Sequence, residues 1–532
     1  AHAGIAAQSP FRVEAGVKYI LNRGALDGHT YLPQSQVVEQ VSRLLSVEDL
    51  LVENAITSLQ LEHQIWREKQ AEETKVYLNL YYYAEIASAK KVLELLADTV
   101  DDGGTDWDKI IAQTEIHEGI HLAEKQRQAV KEAMTNGLLI ITGGPGTGKT
   151  TTIRTMLEIF QQREEKVLLA APTGRAAKRM NEATGLPAQT IHRLLGTSFL
   201  AEDSRSQRFE KNEEDPLDAD VIVVDEMSMV DILLWNSFLK AVSPGTRLVL
   251  VGDVDQLPSV GPGNVLKDLI RSGVAPVVSL NEIFRQAKES AIITNAHLIN
   301  EGKAPVLNDK TKDFFFVHRS RTEDAAEEVI RLIQKRLPAF TGCESTEIQV
   351  LSPMRKGTLG VTELNRRLQQ ALNPPGRGKK EKAFRAMVFR EGDKVMQIKN
   401  NYNLSWKIIG PLGKTVEDGL GVFNGDTGVI ERIDLTSETM EVLFDDNRRV
   451  SYDFTQLEEL ELSYATTIHK SQGSEYPVVI IPLVSGPPML LTRNLLYTAV
   501  TRARKLVVLV GVEETMRAMV DNNREVRRYS SL

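Results

Sequence analysis

The chain has 532 residues and a net charge of −8, from 64 basic and 72 acidic side chains; at about 150 residues per domain its length suggests three or four domains. Its single cysteine, Cys343, excludes an intramolecular disulfide, a cysteine-based zinc site and an iron–sulfur cluster. Because the sequence contains neither an apolar run of about 18 residues nor a signal-peptide pattern, we expect a cytoplasmic protein that does not bind a membrane.

Residues 1–108 are predicted to form a helical N-terminal domain of the winged-helix or helical-bundle type. Apolar residues recur there at three- and four-residue steps, as in Val37, Val41 and Leu44, which is the spacing of one helix face. The tyrosine run at 81–83 favours a buried helix or the edge of a strand. An Asp- and Gly-rich stretch near residue 100 predicts a linker to the next domain.

Two sets of short apolar strands that alternate with helical stretches predict two α/β domains facing each other. Turns bearing Gly, Pro or Asp follow these strands, which indicates βαβ units, parallel sheets and functional residues at the carboxyl ends of strands. The predicted strands of the first set are Leu138–Thr142, Lys166–Ala171, Val221–Val224, Arg247–Val251 and Val277–Ser279. Those of the second set are Ile348–Ser352, Val478–Leu483 and Leu506–Val510.

The second set is interrupted by residues 384–462, which are predicted to form a small antiparallel barrel. Alternating strands are broken there by turn sequences such as Asn424-Gly425-Asp426. We therefore assign residues 109–275 to the first α/β domain, and residues 276–383 and 463–532 to the second.

A phosphate-binding loop of the form G-x-x-x-x-G-K-[ST] lies between an apolar strand and a helical run. Its glycines let backbone N–H groups surround phosphates, and the helix N-terminus adds its dipole. Lys149 is expected to reach the β- and γ-phosphate oxygens and the Thr150 hydroxyl to ligate Mg²⁺. The residues expected to bind ATP here are Gly143, Gly144, Pro145, Gly146, Thr147, Gly148, Lys149, Thr150 and Thr151.

An acidic pair, Asp225 and Glu226, follows the β-forming run at 221–224. Asp225 is a candidate metal ligand that acts through the water shell of Mg²⁺, and Glu226 is a candidate for polarising the attacking water. The alternative is an acidic pair that only caps the strand. Together with the phosphate loop, the pair predicts Mg-dependent hydrolysis of a nucleoside triphosphate, but not what the hydrolysis drives.

Three further polar residues are candidates for linking hydrolysis to movement. Gln256 follows an apolar strand, where an amide can sense the γ-phosphate. Arg285 and Arg502 are candidates for neutralising the charge that develops on the γ-phosphate. Taken singly, each arginine is better explained as a salt-bridged surface residue.

In this order and at these intervals, the motifs resemble those of superfamily-one helicases, specifically the RecD-like group. The resemblance covers residues 122–512 and adds further motifs, around Gln126, Thr173, His192 and the run from Thr467 to Glu475. It implies two RecA-like motor lobes with ATP bound between them. In that arrangement Gln126 reads the adenine, Glu475 contacts the ribose, and Arg285 and Arg502 reach the γ-phosphate.

The resemblance also implies a grip on the sugar–phosphate backbone of single-stranded DNA, which suits a motor because such contacts carry no sequence information. For His192 and His469 the alternative is a histidine of the core. The acidic balance confines the grip to a groove, so binding should weaken steeply with salt. The implied DNA-binding residues are Pro172, Thr173, Arg175, His192, Thr467, His469 and Lys470.

The barrel and the helical N-terminus are similar to those of stand-alone bacterial RecD-like helicases, which carry an SH3-like barrel in the second lobe. The likeness implies 5′→3′ movement and a nucleoid-associated location. Since the chain lacks an initiator Met, we expect its natural N-terminus to lie upstream.

Two inserted segments of the chain have more than one possible role. A small strand-splitting hairpin is expected at about 194–218, with Phe199 or Phe209 as the wedge and surface packing as the alternative for both. Residues 408–421 are predicted to be a loop. The longer stretch 401–421 is more polar than the family's barrel suggests, and both a subgroup loop and a DNA-contacting arm stay open.

The expected cofactors are ATP and Mg²⁺, and the expected partners are single-stranded and forked duplex DNA. A single-strand-binding protein is a further candidate partner, and we expect a monomer. Two other outputs of the same motor stay open: a translocase that remodels protein–DNA complexes, and an RNA helicase, which no RNA-binding module supports. DNA repair and recombination both fit, and residue types do not choose between them.

Overall fold

The computed structural model of the chain describes residues 6, 8–70, 73–97, 104–196, 209–284, 287–309, 312–411, 413–445, 447–524 and 527–532. Within these ranges the strands form five sheets: one small antiparallel sheet, two parallel sheets, one large antiparallel sheet and a two-stranded hairpin. Of the helices described, none is both long enough and apolar enough to cross a bilayer.

The N-terminal module packs helices on an antiparallel sheet whose strand order is β1-β3-β2. Its elements are α1 (Pro10–Leu26), β1 (Tyr31–Pro33), α2 (Gln34–Leu45), α3 (Asp49–Leu61), β2 (Ile65–Lys69) and β3 (Thr74–Leu78). Val17, Val41 and Ile56 are fully buried between the helices, as the apolar periodicity predicts, but Leu44 at the end of α2 is 48% exposed and does not belong to this core. The periodicity does not predict the sheet, because strands of three to five residues are too short to show an alternating pattern.

Helix α4 (Asn79–Ala97) begins directly after β3 and connects the module to the rest of the chain. The tyrosine run lies in its first turns, where Tyr82 stacks on Trp66 with the ring centroids 4.5 Å apart. Farther along, Val92 and Leu95 are buried in the core of the first parallel sheet. The predicted linker near residue 100 lies largely outside the described residues.

The first lobe is a six-stranded parallel sheet in the order β6-β5-β7-β8-β4-β9, with helices packed on both faces. Its edge strand β9, residues 277–280, pairs with β4, so this lobe extends past the predicted boundary at residue 275. Residues 138–141 of β4 are all fully buried, which explains why the strands are continuous apolar runs rather than alternating ones. The elements are α5 (Trp107–Glu118), α6 (Glu124–Thr135), β4 (Leu138–Gly143), α7 (Lys149–Gln162), β5 (Val167–Ala171), α8 (Gly174–Thr184), β6 (Ala188–Thr190), α9 (Ile191–Leu195), β7 (Val221–Val224), α10 (Ile232–Lys240), β8 (Arg247–Gly252), α11 (Val265–Ser272) and β9 (Val277–Leu280).

The second lobe starts with helices and two strands before the chain leaves it for the antiparallel insertion. These elements are α12 (Ala291–Asn300), β10 (Phe314–His318), α13 (Thr322–Arg331), α14 (Leu337–Thr341), β11 (Ile348–Ser352) and α15 (Val361–Leu372).

The insertion is a seven-stranded antiparallel sheet in the order β16-β15-β19-β18-β17-β14-β20, preceded by the hairpin β12–β13. Val442 and Tyr452 are fully buried inside it, as an enclosed barrel core requires. The strands are β12 (Glu381–Phe384), β13 (Met387–Arg390), β14 (Lys394–Gln397), β15 (Asn401–Ile409), β16 (Thr415–Val422), β17 (Thr427–Asp434), β18 (Thr439–Phe444), β19 (Arg448–Asp453) and β20 (Leu460–Leu462).

After the insertion the chain completes the second lobe as a parallel sheet in the order β10-β23-β22-β11-β21. The remaining elements are β21 (Ala465–Thr467), β22 (Tyr476–Leu483), α16 (Arg493–Val500), β23 (Ala503–Gly511) and α17 (Glu513–Asp521). As in the first lobe, each central strand is apolar and buried, which agrees with the predicted α/β fold with a barrel insertion.

The prediction of a loop at 408–421 is wrong, because most of this segment pairs as the β15–β16 hairpin. Trp406 on β15 is 5% exposed and lies across Gly419 on β16. A Cβ atom at position 419 would come within 2.6 Å of the indole ring. Gly419, one of the glycines that suggest a loop in the sequence, therefore makes room for the Trp406 ring inside a strand pair.

The C-terminal segment 527–532 returns from the second lobe to the first lobe and the N-terminal module. The guanidinium of Arg528 donates to the carbonyl oxygens of Ser259 (2.6 Å), Gly261 (2.9 Å) and Gly263 (2.8 Å). The carbonyl of Tyr529 accepts a hydrogen bond from the backbone N–H of Thr30 at 2.8 Å. The last described residues thus join three parts of the fold.

Candidate active site and the adjoining groove

The phosphate loop connects β4 to α7 at the carboxyl end of the first sheet. The ammonium group of Lys149 lies inside the loop, where it donates to the carbonyl oxygens of Gly143 (2.5 Å) and Gly144 (3.0 Å). Gly146 and Gly148 have φ angles of 73° and 79°, a left-handed conformation that glycine adopts without a steric penalty. The loop therefore curls around the point to which its lysine is directed.

Gln126 closes one side of this loop and is 2% exposed. Its side-chain N–H donates to the carbonyl of Gly148 at 3.1 Å, and its Oε1 accepts from the N–H of Ala123 at 2.9 Å. A Cβ atom at position 148 would lie 2.3 Å from Gln126 Nε2 and 2.7 Å from a ring carbon of Phe284. The ring of Phe284, which sequence reasoning missed beside Arg285, and the predicted adenine-reading amide therefore both lie against Gly148.

Asp225 and Glu226 follow the buried strand β7, and Glu226 has a left-handed φ of 55° that is unusual for a residue other than glycine. Its N–H donates to Asp225 Oδ1 at 2.8 Å. Burial and the neighbouring Glu226 charge raise the pKa of Asp225. Burial would also raise the pKa of Glu226, but the attraction of Arg179 and Arg502 outweighs it and holds that pKa below its usual range.

Arg179 on α8 crosses the cleft between the two lobes. Its Nη2 donates to Glu226 Oε1 at 2.6 Å, and its Nη1 donates to Glu475 Oε1 at 2.5 Å. The same guanidinium lies 3.7 Å from Asp225 Oδ2. Glu475 accepts a second hydrogen bond, from Arg504 Nε at 2.6 Å. Sequence reasoning missed Arg179, since its partners are 47 and 296 positions away in the chain.

Arg502 approaches the cleft from the second lobe and is 2% exposed. Its guanidinium donates to the carbonyl oxygens of Ser474 and Thr498, each at 3.3 Å. Because backbone groups hold it, the side chain is oriented before any ligand is present. Arg285, the other predicted arginine, lies outside the described residues.

Gln256 follows β8 and donates to Asp253 Oδ2 at 3.1 Å. The same carboxylate oxygen accepts from the hydroxyl of Tyr497, in the second lobe, at 2.7 Å. Among the described residues, the Gln256 Oε1 is buried and meets no hydrogen-bond donor. A buried acceptor without a donor is costly, so this atom is poised to accept from a molecule that enters the cleft.

The cleft itself is a cavity of about 460 Å³. It brings together most of the residues that the sequence assigns to nucleotide binding and hydrolysis, and Gln126, Gly143 and Thr151 adjoin this set. The predicted residues that line it are Gly144, Pro145, Gly146, Thr147, Gly148, Lys149, Thr150, Asp225, Glu226, Gln256, Glu475 and Arg502.

A second, larger cavity of about 790 Å³ forms a groove between the first lobe and the barrel. His192 lies in it, with its ring centroid 6.0 Å from Phe423, 6.0 Å from Phe209 and 6.3 Å from Tyr402. Burial lowers the pKa of His192 to about 4, so the imidazole is neutral at neutral pH. The groove therefore has an aromatic floor built from both sides.

Positively charged side chains line the same groove, in spite of the acidic balance of the whole chain. They are Lys178, Arg193, Lys407 and Arg448, and they stand beside three carboxylates, Glu210, Asp418 and Asp426, of which Asp426 pairs with Arg448 at 2.8 Å. Trp406 adds a further ring, over which the Arg193 guanidinium lies at 5.8 Å. Rings interleaved with cations are the pattern of grooves that bind single-stranded nucleic acid, and the sequence signal for it was the mixed aromatic and basic content of 401–423.

The other residues predicted to contact DNA lie at the seam between the lobes. Thr173 caps α8 and faces Gly473, where a Cβ atom would come within 2.6 Å of its hydroxyl. The Arg175 guanidinium is held by protein groups: it donates to the Tyr476 hydroxyl at 3.1 Å and pairs with Asp445 at 2.5 Å. As a DNA contact, Arg175 stays a prediction.

Of the remaining predicted contacts, His469 is exposed and Pro172 is half-buried just after β5. Lys470 pairs with Glu461 at 2.8 Å, and its N–H donates to the Thr467 hydroxyl at 3.3 Å. None of these residues lines the described groove, so the structure separates them from His192.

The predicted strand-splitting hairpin is described only in part. Phe209 is half-buried beside His192, whereas Phe199 lies outside the described residues. The choice of wedge residue therefore stays a prediction.

Three segments of the chain match known families. Residues 126–262 match the AAA domain, residues 364–444 the SH3 domain of ATP-dependent RecD-like DNA helicases, and residues 462–510 the C-terminal domain of UvrD-like helicases. Together these matches cover most of the first parallel sheet, most of the barrel and the last three strands of the second parallel sheet.

Relatives that match most of this chain include the ATP-dependent RecD2 DNA helicase of Deinococcus radiodurans, 34% identical over 99% of this chain and 69% of that protein. The RecBCD enzyme subunit RecD of Mycolicibacterium smegmatis is 35% identical over 75% of this chain and 72% of that protein. Among solved structures, Bacteroides Pif1 bound to single-stranded DNA is 18% identical, with a TM-score of 0.44 over 74% of this chain and 94% of that chain.

Proposed function

The chain belongs to the RecD-like group of superfamily-one DNA helicases, and from this premise we propose that it moves 5′→3′ along single-stranded DNA to open a forked duplex. It is an ATP-dependent DNA helicase. The observation that supports an ATP-driven motor is the cleft of about 460 Å³, where the phosphate loop, the acidic pair and Arg502 converge from two lobes.

We assign the binding of ATP to the phosphate loop. Lys149, now held by the carbonyls of Gly143 and Gly144, is in position to exchange them for phosphate oxygens. The curled backbone and the N-terminus of α7 add N–H groups and a positive dipole. Gln126 and the Phe284 ring, side by side at Gly148, suit an adenine, which offers a hydrogen-bonding edge and a flat face.

Mg²⁺ fits the same cleft, because the Thr150 hydroxyl and the Asp225 carboxylate line it and are oxygen donors of the kind that this ion prefers. When bound, the ion supplies positive charge that offsets the charge of the β- and γ-phosphates. We assign no other ligands to it.

Hydrolysis of ATP uses a group that orients the attacking water, a residue that contacts the γ-phosphate and a cation that offsets its negative charge. We assign Glu226 to orient and polarise the attacking water, and Gln256 to accept a hydrogen bond through its free Oε1. Arg502, held in place by backbone carbonyls, stabilises from the opposite lobe the charge that develops on the γ-phosphate as it is transferred to water, and Arg285 is the second candidate for this role. Because both lobes contribute, hydrolysis changes the contact between them.

We propose that the groove of about 790 Å³ is part of the path of the DNA strand. Bases stack on aromatic rings whatever their identity, and cations follow the phosphates. The seam residues Pro172, Thr173, Thr467 and His469 extend this path between the lobes. The 5′→3′ direction rests on the likeness to RecD-like helicases alone.

The remaining expectations are part of the same proposal. Forked duplex DNA is the natural substrate of such a motor, a single-strand-binding protein is a candidate partner, and the chain works as a monomer with the nucleoid in the cytoplasm. Repair and recombination are the processes that need this activity.

The test of the motor site is DNA-stimulated ATP hydrolysis by the intact chain. We expect the rate to rise when single-stranded DNA is added, and Lys149→Ala to abolish both rates. Lys131→Ala is the matched control, since this exposed lysine pairs with Asp108 outside the cleft. Hydrolysis that survives in Lys149→Ala, or a wild-type rate that DNA does not change, would contradict the assignment.

A further inference from the structure

We propose that Arg179 is a positioning residue that slows ATP hydrolysis in the absence of DNA. Its guanidinium bridges Glu226 of the first lobe and Glu475 of the second, and DNA that binds in the groove breaks this bridge. This inference rests on the proposed function, since it gives Arg179 a part in controlling ATP hydrolysis. Neither the phosphate loop nor the other predicted site residues include it.

The bridge joins the two lobes through the guanidinium of Arg179. Two different nitrogens of one guanidinium reach carboxylates on opposite lobes, at 2.6 Å to Glu226 and 2.5 Å to Glu475. Arginine can do this because its planar fork presents separate donors, whereas a lysine ammonium presents a single charged point. The Arg179 side chain is only 24% exposed, so solvent ions screen the pair of contacts weakly.

The guanidinium of Arg179 competes with the water and the ribose for the carboxylate oxygens of Glu226 and Glu475. Glu226 is the carboxylate assigned to the attacking water, and Glu475 is the one assigned to the ribose. While Arg179 holds one oxygen of each, neither is fully available for its assigned contact. Occupation of the cleft and maintenance of the bridge are therefore opposed.

Helix α8, which carries Arg179, borders both the groove and the cleft. Ala177, Lys178 and Asn181 line the groove, and Arg179 and Met180 line the cleft. A strand that binds in the groove therefore contacts the helix that carries the bridge. Shifts of about 1–2 Å are ordinary for a helix at an interface, and a hydrogen bond of 2.6 Å does not survive such a shift.

The experiment compares ATP hydrolysis by wild type and Arg179→Gln, with and without oligo-dT. Without DNA, we expect Arg179→Gln to hydrolyse ATP at least about 5-fold faster than wild type, which is the low end of ordinary coupling between sites. With DNA, we expect the two to differ little, so the stimulation ratio falls. Arg154→Gln is the matched control, because this exposed arginine of α7 pairs with Glu118 outside the cleft.

A second measurement distinguishes two roles of Arg179: a bridge that opposes nucleotide binding and a direct ligand of the phosphates. If Arg179 opposes entry of the nucleotide, a non-hydrolysable ATP analogue binds Arg179→Gln more tightly than wild type. Weaker binding would show that Arg179 is a direct phosphate ligand and would overturn the inference. Arg179→Lys keeps the charge but loses the fork, so we expect it to behave like Arg179→Gln rather than like wild type.

The outcomes also separate this inference from the proposed function. If wild type hydrolyses no ATP with DNA present, the motor assignment fails. If wild type responds to DNA and Arg179→Gln keeps the same stimulation ratio, only the inference fails. Parallel loss of both rates in a variant with an unchanged melting temperature would assign Arg179 to the chemistry itself and would also overturn it.

Discussion

At the scale of single residues, Gly148 shows how local geometry protects the nucleotide site. Its φ of 79° lies in the left-handed region, and a Cβ atom would come within 2.3 Å of Gln126 Nε2. Gly185, at the end of α8, has a similar φ of 74°, but a Cβ atom added there would meet nothing within 4 Å. The two glycines thus share the backbone constraint and differ in the steric one.

We predict that Gly148→Ala abolishes ATP binding, whereas Gly185→Ala leaves it intact. The left-handed backbone alone is expected to cost about 1–2 kcal/mol of unfolding free energy in both variants. The additional clash at position 148 displaces Gln126 and Phe284 from the nucleotide site. Titration with a fluorescent ATP analogue, together with thermal unfolding, tests this. Equal ATP affinity in the two variants would show that the clash is relieved without consequence.

Residues of the site differ in how far they could be predicted from the sequence. Lys149, Asp225 and Glu226 are predictable because each stands in a short string whose chemistry depends on its immediate neighbours. Arg179 is not, since its function depends on partners that only the tertiary fold brings within 2.6 Å. A lone arginine in a helix is ordinarily a solvated surface residue, so the local pattern contains no signal for it.

At the scale of elements, the β15–β16 hairpin builds the barrel side of the groove. Tyr402 starts the first strand, Phe423 follows the second, and their ring centroids lie 5.6 Å apart. His192 faces both rings from the first lobe. The groove therefore depends on how the barrel is held against the first lobe.

We predict that Tyr402→Ala weakens binding of oligo-dT, because the loss of one stacked base is worth about 1–3 kcal/mol, or roughly 5- to 150-fold in affinity. ATP hydrolysis without DNA should not change, since the ring lies outside the cleft. Tyr19→Ala is the control, as this tyrosine is 55% exposed on α1. Fluorescence anisotropy measures the affinity, and an unchanged value would remove Tyr402 from the DNA path.

Elements also differ in how well their sequence predicts them. The strands of both parallel sheets are buried on two faces, so their continuous apolar runs are visible in the sequence and the α/β fold is confirmed. The β15–β16 hairpin exposes apolar residues such as Val416 and Leu420 together with polar ones, and it contains Gly419, which leaves room for the Trp406 ring. Its composition therefore indicates a loop although its backbone is paired.

At the scale of the whole molecule, a chain of net charge −8 has to bind a polyanion. The groove lining has four cations, Lys178, Arg193, Lys407 and Arg448, against three carboxylates, whereas acidic side chains are in excess over the whole chain. We predict that the logarithm of the oligo-dT affinity falls linearly with the logarithm of salt concentration, with a slope of about −0.7 per phosphate contacted. Anisotropy titrations at several salt concentrations measure it. A flat response would contradict a phosphate-directed grip.

The C-terminal segment is the second feature of the whole molecule, because it ties the end of the second lobe to the loop after Gln256. Arg528 donates to three carbonyl oxygens of that loop. We predict that Arg528→Ala lowers the unfolding free energy by about 1–3 kcal/mol, since buried acceptors lose their donors. Thermal unfolding measures the loss, with the exposed Arg517→Ala as control. Equal melting temperatures would mean that the segment does not hold the lobes together.

We propose that the two lobes and the groove form a motor that moves in one direction on DNA. The most direct measurement is unwinding of a fluorescent duplex that carries either a 5′ or a 3′ single-stranded tail, with ATP and Mg²⁺. We predict that only the 5′-tailed duplex opens, and that Lys149→Ala opens neither. Opening of only the 3′-tailed duplex would contradict the direction. If neither opens while DNA still stimulates ATP hydrolysis, the chain is a translocase that does not separate strands.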